Sequence, residues 1–119
     1  MTSIPLVTVL LPLYQHGPSV ASALASIQAQ SITDLAIYVL DDGSTDEGPE
    51  IVAEAAIRDE RIRLFRLPHR GIVATLSEGL EAVQSAYMAR MDADDLASPR
   101  RLQRQLEMLK LSPDVAAVD

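Results

Sequence analysis

The stretch Leu35–Glu60, "LAIYVLDDGSTDEGPEIVAEAAIRDE", decides the fold. Its first six residues carry no charge and read as a strand buried on both faces. The strand is predicted to stop at "DDGSTD", since Asp, Gly, Ser and Thr make turns. Ser44 followed three residues later by Glu47 has the spacing of a capping box, and Pro49 suits a first helical turn. A helix is therefore predicted over "GPEIVAEAAIRDE". Buried strand, polar turn and crossover helix together are the repeating unit of a parallel α/β sheet.

The same unit recurs on both sides. Upstream, "PLVTVLLPLY" is an uncharged strand ended by Pro12, and after the turn "HGPS" the residues Val20, Leu24 and Ile27 recur at helical spacing. Downstream, "RIRLFRL" alternates imperfectly between arginine and apolar residues, as an exposed strand near a sheet edge does. Ile72, Leu76, Leu80 and Val83 mark the predicted buried face of a third helix, and Tyr87–Met91 a short fourth strand. Ser98 and Pro99 are placed to cap and start a last helix that buries Leu102, Leu106 and Leu109, with Lys110 suiting its carboxyl end. Val115–Val118 opens another apolar run that breaks off at Asp119, which reads as a cut from a longer chain. The expected fold class is α/β, a Rossmann-like, mostly parallel sheet flanked by helices.

Composition narrows the function. At 119 residues the chain fits one domain with a modest core, and 48% hydrophobic with 23% charged residues describes a globular segment. A net charge of -7 and only four aromatic residues, Tyr14, Tyr38, Phe65 and Tyr87, argue against a nucleic-acid surface. The same acidity disfavours an anionic membrane surface. Without cysteine there is no disulfide, thiolate ligand or thiol nucleophile, in keeping with a reducing compartment. The run Ile4–Leu13 is broken by two prolines, far short of the ~20 residues of a membrane helix, and lacks a signal peptide's basic start. A cytoplasmic protein is expected, at the inner face of the membrane if the full-length protein acts there.

Ligands of open α/β sheets collect beyond the carboxyl ends of the strands. Three polar clusters fall there: Pro12–Tyr14, Asp41–Asp46 and Asp92–Asp95. "DDGSTD" is explained as a turn, yet a turn does not require two adjacent carboxylates. Asp41 and Asp42 are suited to accept bonds from a base imide or from ribose hydroxyls. Neither GxGxxG nor GxxxxGK[ST] occurs, against dinucleotide and P-loop chemistry. In "MDADD", Asp92, Asp94 and Asp95 crowd carboxylates as a site for a hard cation does, Mg²⁺ or Mn²⁺, and such an ion stabilises a diphosphate leaving group. Helix capping accounts for one of the three at most. Arg70, beside His69 and Gly71 at the same end of the sheet, is placed to touch a nucleotide, to pair with an aspartate or to stay solvated. His69 and His16 stand alone, and solvation in loops is the preferred reading of both.

These motifs resemble those of family 2 glycosyltransferases with the GT-A fold. The resemblance rests on "VTVLLPLY", "ALASIQAQ", "IYVLDDGSTD", "RGIVATLSEGL" and "ARMDADDLASPRRLQRQLEML" in the family's order, and it covers the whole chain. It implies that Pro12 and Tyr14 line a nucleotide pocket, that Asp41 and Asp42 bind base and ribose, and that Arg70 and Gly71 pass near the base. It implies further that Asp92 and Asp94 are the metal-binding DxD motif, with Asp95 the usual third acid. The implied donor is a nucleotide-diphosphate sugar, most often a UDP-sugar. The implied reaction is metal-dependent, inverting transfer of a hexosyl group to an acceptor hydroxyl on a glycan or lipid-linked acceptor. Residues 1–119 would be the N-terminal donor-binding part, with the general base beyond Asp119; a homo-oligomer is left open. Gln15 and Ser77 depart from the asparagines the family often has there.

Three other readings compete. A nucleotidyltransferase would show a Gly-rich loop and a basic residue near the first strand, and neither lies between Leu6 and Ser22. A receiver-like signalling domain wants its acid pair after the first strand, whereas here it follows the second. A non-catalytic module that holds nucleotide and metal is the third.

Overall fold

A computed structural model describes residues 4–111. In chain order the elements are β1 (Val7–Leu13), α1 (Gly17–Gln28), β2 (Leu35–Asp42), α2 (Gly48–Arg58), β3 (Ile62–Leu67), α3 (Ile72–Ala82), β4 (Tyr87–Arg90) and α4 (Arg101–Leu111). The strands form one parallel sheet in the order β3-β2-β1-β4. The chain thus lays down β1, β2 and β3 in one direction and then returns to the free side of β1 for β4. This reversal opens a crevice beyond the carboxyl ends of β1 and β4, where parallel sheets take ligands. The apolar run at Val115–Val118 lies outside the described residues.

Strand alternation divides the core. Val7, Val9, Leu11 and Leu13 of β1 face Val20, Leu24 and Ile27 of α1, Val52 of α2 and Leu102 and Leu106 of α4. Leu10, Leu40 and Asp42 face the other way, toward α3. With both faces covered, β1 is buried along nearly its whole length, which explains why its sequence is continuously apolar.

Several boundaries differ from the sequence reading. Pro12 does not end β1 but sits within it, opposite Leu40. The Leu10 carbonyl accepts the Met91 N–H at 3.0 Å on the β4 side, so the Pro12 nitrogen, two residues on, faces the same side after β4 has ended. No ladder bond is lost there. β2 does not stop before its acids; it continues through Asp41 and Asp42, which pair with Arg66 and Leu67 of β3. "HGPS" supplies the first turn of α1, with Pro18 where the missing N–H is harmless.

The capping box does not form. Ser44 Oγ accepts the Gln15 N–H at 3.1 Å instead, and Asp46 takes over: Oδ1 accepts the Gly48 N–H and Oδ2 the Gly17 N–H, both at 2.9 Å. One carboxylate thereby ties the amino ends of α2 and α1 together. These two N–H bonds hold Asp46 below the usual carboxylate range. The predicted buried face of α3 is also displaced. Ile72 and Leu80 are half exposed, and the buried positions are Thr75 and Gly79, because the helix approaches so closely that only a glycine fits over Leu40. α4 starts at Arg101, with the Leu102 N–H capped by buried Gln30 Oε1 at 3.1 Å.

Candidate functional site

A cavity of about 470 Å³ opens at the carboxyl end of the sheet. Pro12, Leu13, Tyr14 and His16 form one wall, Asp42 the floor, His69, Gly71, Ile72 and Thr75 a second wall, and Asp92, Ala93 and Asp94 a third. Of the residues singled out from sequence, Pro12, Tyr14, Asp42, Gly71, Asp92 and Asp94 meet here. Asp41, Arg70 and Asp95 are not among its lining.

Period-two alternation separates the acid pair. Asp41 points to the face shared with α1 and α2, where Oδ1 accepts the Ser44 N–H at 3.3 Å. Asp42 points to the cavity face and is only 5% exposed. Its carboxylate is the hub of the loop after β3: Oδ1 accepts the Arg70 N–H at 2.8 Å, while Oδ2 accepts the Gly71 N–H at 3.1 Å and His69 Nδ1–H at 2.9 Å. Burial pushes its pKa up, but the Arg70 and Gly71 N–H groups and the charge of His69 outweigh that effect and hold it below the ordinary value. Asp42 is therefore ionised at neutral pH. The Arg70 guanidinium turns away to Glu78 of α3 at 3.1 Å, and it is the Arg70 backbone that reaches Asp42.

Aromatic surface comes from an unforeseen pair. The Tyr14 and His69 rings stack with centroids 4.3 Å apart and planes at 16°. Tyr14 is positioned by Gln15, a non-glycine residue with φ of 57°, held there by bonds to the next loop. Its side chain exchanges two bonds with Thr45, both 2.8 Å, and its N–H reaches Ser44. This is the left-handed region, in which asparagine is better tolerated than glutamine, so a glutamine here carries a local cost.

The acidic loop is fastened from α1 and from Gln30 just beyond it. Ser19 Oγ donates to the Ala93 carbonyl at 3.0 Å, the Ala97 N–H donates to Ser26 Oγ at 3.0 Å, and Gln30 Nε2 donates to the Ser98 carbonyl at 2.7 Å. Met91 and Ala93 are buried, which turns Asp92 and Asp94 outward between and beyond them. A turn in which the Asp95 N–H donates to the Asp92 carbonyl at 3.1 Å brings the third acid back. One carboxylate oxygen from each of Asp92, Asp94 and Asp95 lies within 4.8 Å of the others, all three residues being exposed. Arg90 Nη2 offers Asp92 a long contact of 3.5 Å. Hard oxygens at this spacing can converge on a divalent ion with ligand bonds of ~2.1 Å by small side-chain rotations, so the donor set fits Mg²⁺ or Mn²⁺.

Sequence reasoning preferred loop solvation for His69, which instead lines the cavity, and left out Thr75, Ser19, Ser26 and Gln30. A usable signal existed for His69 alone, which lies two residues after β3 at the ligand end of the sheet. The others act through contacts between segments distant in sequence.

Comparison with known proteins agrees with this geometry. The family model "Glycosyl transferase family 2" matches residues 8–119. The uncharacterized glycosyltransferase EpsJ of Bacillus subtilis is 32% identical over 104 residues, covering 87% of this chain and 30% of that protein. Succinoglycan biosynthesis protein ExoO of Rhizobium meliloti is 33% identical over 117 residues, 98% of this chain and 33% of that one. The chain thus spans about a third of the length of these relatives. Among solved structures, the mannosyltransferase PcManGT from Pyrobaculum calidifontis, in complex with GDP-Man and Mn²⁺, superposes with a TM-score of 0.81 at 28% identity over 91% of this chain and 33% of that chain. Staphylococcus aureus TarS, at 20% identity and a TM-score of 0.78 over 88% of this chain and 32% of its own, shares the fold. Matched along nearly its whole length and built as a GT-A-like parallel sheet, the chain belongs to glycosyl transferase family 2.

Proposed function

We propose that the full-length protein transfers a hexosyl group from a nucleotide-diphosphate sugar, a UDP-sugar, to an acceptor hydroxyl of a glycan or lipid-linked acceptor, on the cytoplasmic side of the membrane. Residues 1–119 hold the donor. The observation that carries this reading is a single cavity that joins a flat aromatic wall, a buried ionised carboxylate and two exposed carboxylates suited to a cation. A nucleotide-diphosphate sugar has the matching parts in the same order: a planar base, hydrogen-bonding edges and a doubly charged diphosphate.

In this reading the base lies against the Tyr14–His69 wall, and Asp42 keeps that wall in place. Asp92, Asp94 and Asp95 hold a divalent cation on the diphosphate side, with Ser19, Ser26 and Gln30 fixing the loop that carries them. Such a cation would supply charge neutralisation to the departing diphosphate. Transfer is one displacement: the acceptor oxygen bonds to the anomeric carbon as the bond to the diphosphate breaks, and configuration inverts. The acceptor proton passes to a base outside the described residues. A GDP-sugar is the second reading, favoured by the GDP-Man in the mannosyltransferase at 28% identity.

Calorimetry with UDP and with GDP, each with and without Mn²⁺, tests the proposal. Binding that needs Mn²⁺ and is lost in Asp92→Ala and Asp94→Ala supports it, and the tighter nucleotide decides between the two donors. Equal affinity with and without Mn²⁺ would overturn the metal assignment, and no nucleotide binding in either condition would overturn the donor site.

A further inference from the structure

We propose that His69 is a base-contacting residue of the donor cavity, its imidazole a preformed platform on which the nucleobase stacks. The inference rests on the donor-site reading above and names a residue that the motifs do not.

Three restraints fix the ring. One face lies on Tyr14 at 4.3 Å. Nδ1 sits 2.9 Å from Asp42 Oδ2 and 3.0 Å from the Asp42 carbonyl oxygen; both are acceptors only, so Nδ1 carries the proton in either charge state. The backbone is seated on Gly43, where any Cβ would stand 2.9 Å from the His69 nitrogen and 3.0 Å from its Cβ, and where φ is 76°. Yet the side chain stays 56% exposed. With one face and Nδ1 spent, what is left of this cavity-lining ring is its other face and the Nε2 edge.

Fastening the loop does not explain this arrangement. Asp42 already holds that loop through the Arg70 and Gly71 N–H groups, and the Thr75 hydroxyl holds the Gly71 carbonyl at 2.8 Å. The imidazole adds a fourth tie to a segment that has three, and the tie orients an exposed ring. Tyr14 with one face covered is a poor platform for a base at that face, whereas the stacked pair offers the outer imidazole face with its rotamer entropy already spent. Asp92 and Asp94 line the same cavity, where the diphosphate of a stacked nucleoside would run.

Two replacements that both lose the Nδ1–H tie separate stacking from fastening: His69→Phe keeps a flat aromatic face, and His69→Leu keeps bulk without one. Calorimetry in Mn²⁺ would use UDP, GDP and inorganic pyrophosphate as probes. The expected result is that His69→Leu binds UDP and GDP about tenfold more weakly than His69→Phe, the scale of one base–aromatic stack, while pyrophosphate binds both alike. Equal nucleotide affinities in the two variants, with wild type binding normally, would overturn the role of His69 and leave the donor site standing. A drop for pyrophosphate as large as for UDP would overturn it too, by assigning the effect to the loop. Absence of nucleotide binding by wild type would instead overturn the donor-site reading itself.

Discussion

Replacing Asp42 by asparagine is the sharpest stability test of this site, because it preserves shape while removing one acceptor. The carboxylate takes three donors, Arg70 N–H on Oδ1 and Gly71 N–H and His69 Nδ1–H on Oδ2. Asparagine has one acceptor oxygen. Placed at Oδ1 it keeps Arg70 but sets its amide against two N–H groups; placed at Oδ2 it keeps two and faces one. The second orientation is the cheaper. It forfeits one hydrogen bond to a charged group, ~1.5–3 kcal/mol, and converts two others from charge-assisted to neutral. Against this stands relief from burying a charge, the largest single influence on the carboxyl group. That influence is already outweighed, since the pKa is lowered, so neutralising the group yields no net gain. The expected loss is about 2 kcal/mol. Urea unfolding followed by far-UV circular dichroism measures it, as the chain has no tryptophan to report by fluorescence. A midpoint shift below about 0.5 kcal/mol at unchanged m would refute the reasoning, showing that the loop does not depend on this carboxylate.

Other outcomes follow from single contacts. Gly79→Ala sets a helix-propensity gain of ~1 kcal/mol against a clash, because a Cβ would stand 2.5 Å from Leu40 Cδ1 and 3.3 Å from Cγ of a side chain with no exposed surface. Overpacking costs ~1–3 kcal/mol, so a net loss is expected in urea titration, and a stabilised variant would contradict the close approach of α3. Gln15→Ala keeps the left-handed backbone and loses both side-chain bonds to Thr45, an expected cost of about 1 kcal/mol that thermal melting would register. Lowering the pH should also destabilise the chain. Asp42, Asp46 and Asp59 all have pKa values below 3.8, Asp59 chiefly through its bonds from Arg61. The unfolded chain therefore takes up protons first as pH falls, and the stability these groups contribute, complete above the unfolded value, drains away below about pH 5. Melting temperatures that stay flat from pH 7 to pH 3 would contradict those depressed values.

Much of the architecture was legible because it rests on local pattern. The uncharged runs of β1 and β2 required cover on both faces, and the imperfect alternation of β3 marked it as the strand at the edge of the sheet that the described residues form. What failed depended on distances between segments. The α3 stripe of Ile72 and Leu80 looked like a buried face, but the helix lies on the sheet through Thr75 and Gly79, a choice made by Leu40 in another element. Likewise the spacing of Ser44 and Glu47 was correct for a capping box, and the cap went to Asp46 because the amino end of α1 lies close enough for one carboxylate to serve both helices.

The acid motif shows where pattern stops and geometry begins. "DDGSTD" reads as a unit, yet its three carboxylates do three things, and the period of a strand is what parts the first two. In register, Asp41 pairs with Leu13 and shares the face of α1 and α2, while Asp42 follows Leu40 on the face of α3. Moving β2 by one residue would exchange them. That slip is forbidden by the core, since it would also turn Ile37 and Val39, both fully buried against α1 and α2, out of the cluster they complete. The hydrophobic pattern of six residues thus selects which of two chemically identical acids meets the cavity, and Asp42 rather than Asp41 is the one whose loss should be felt there.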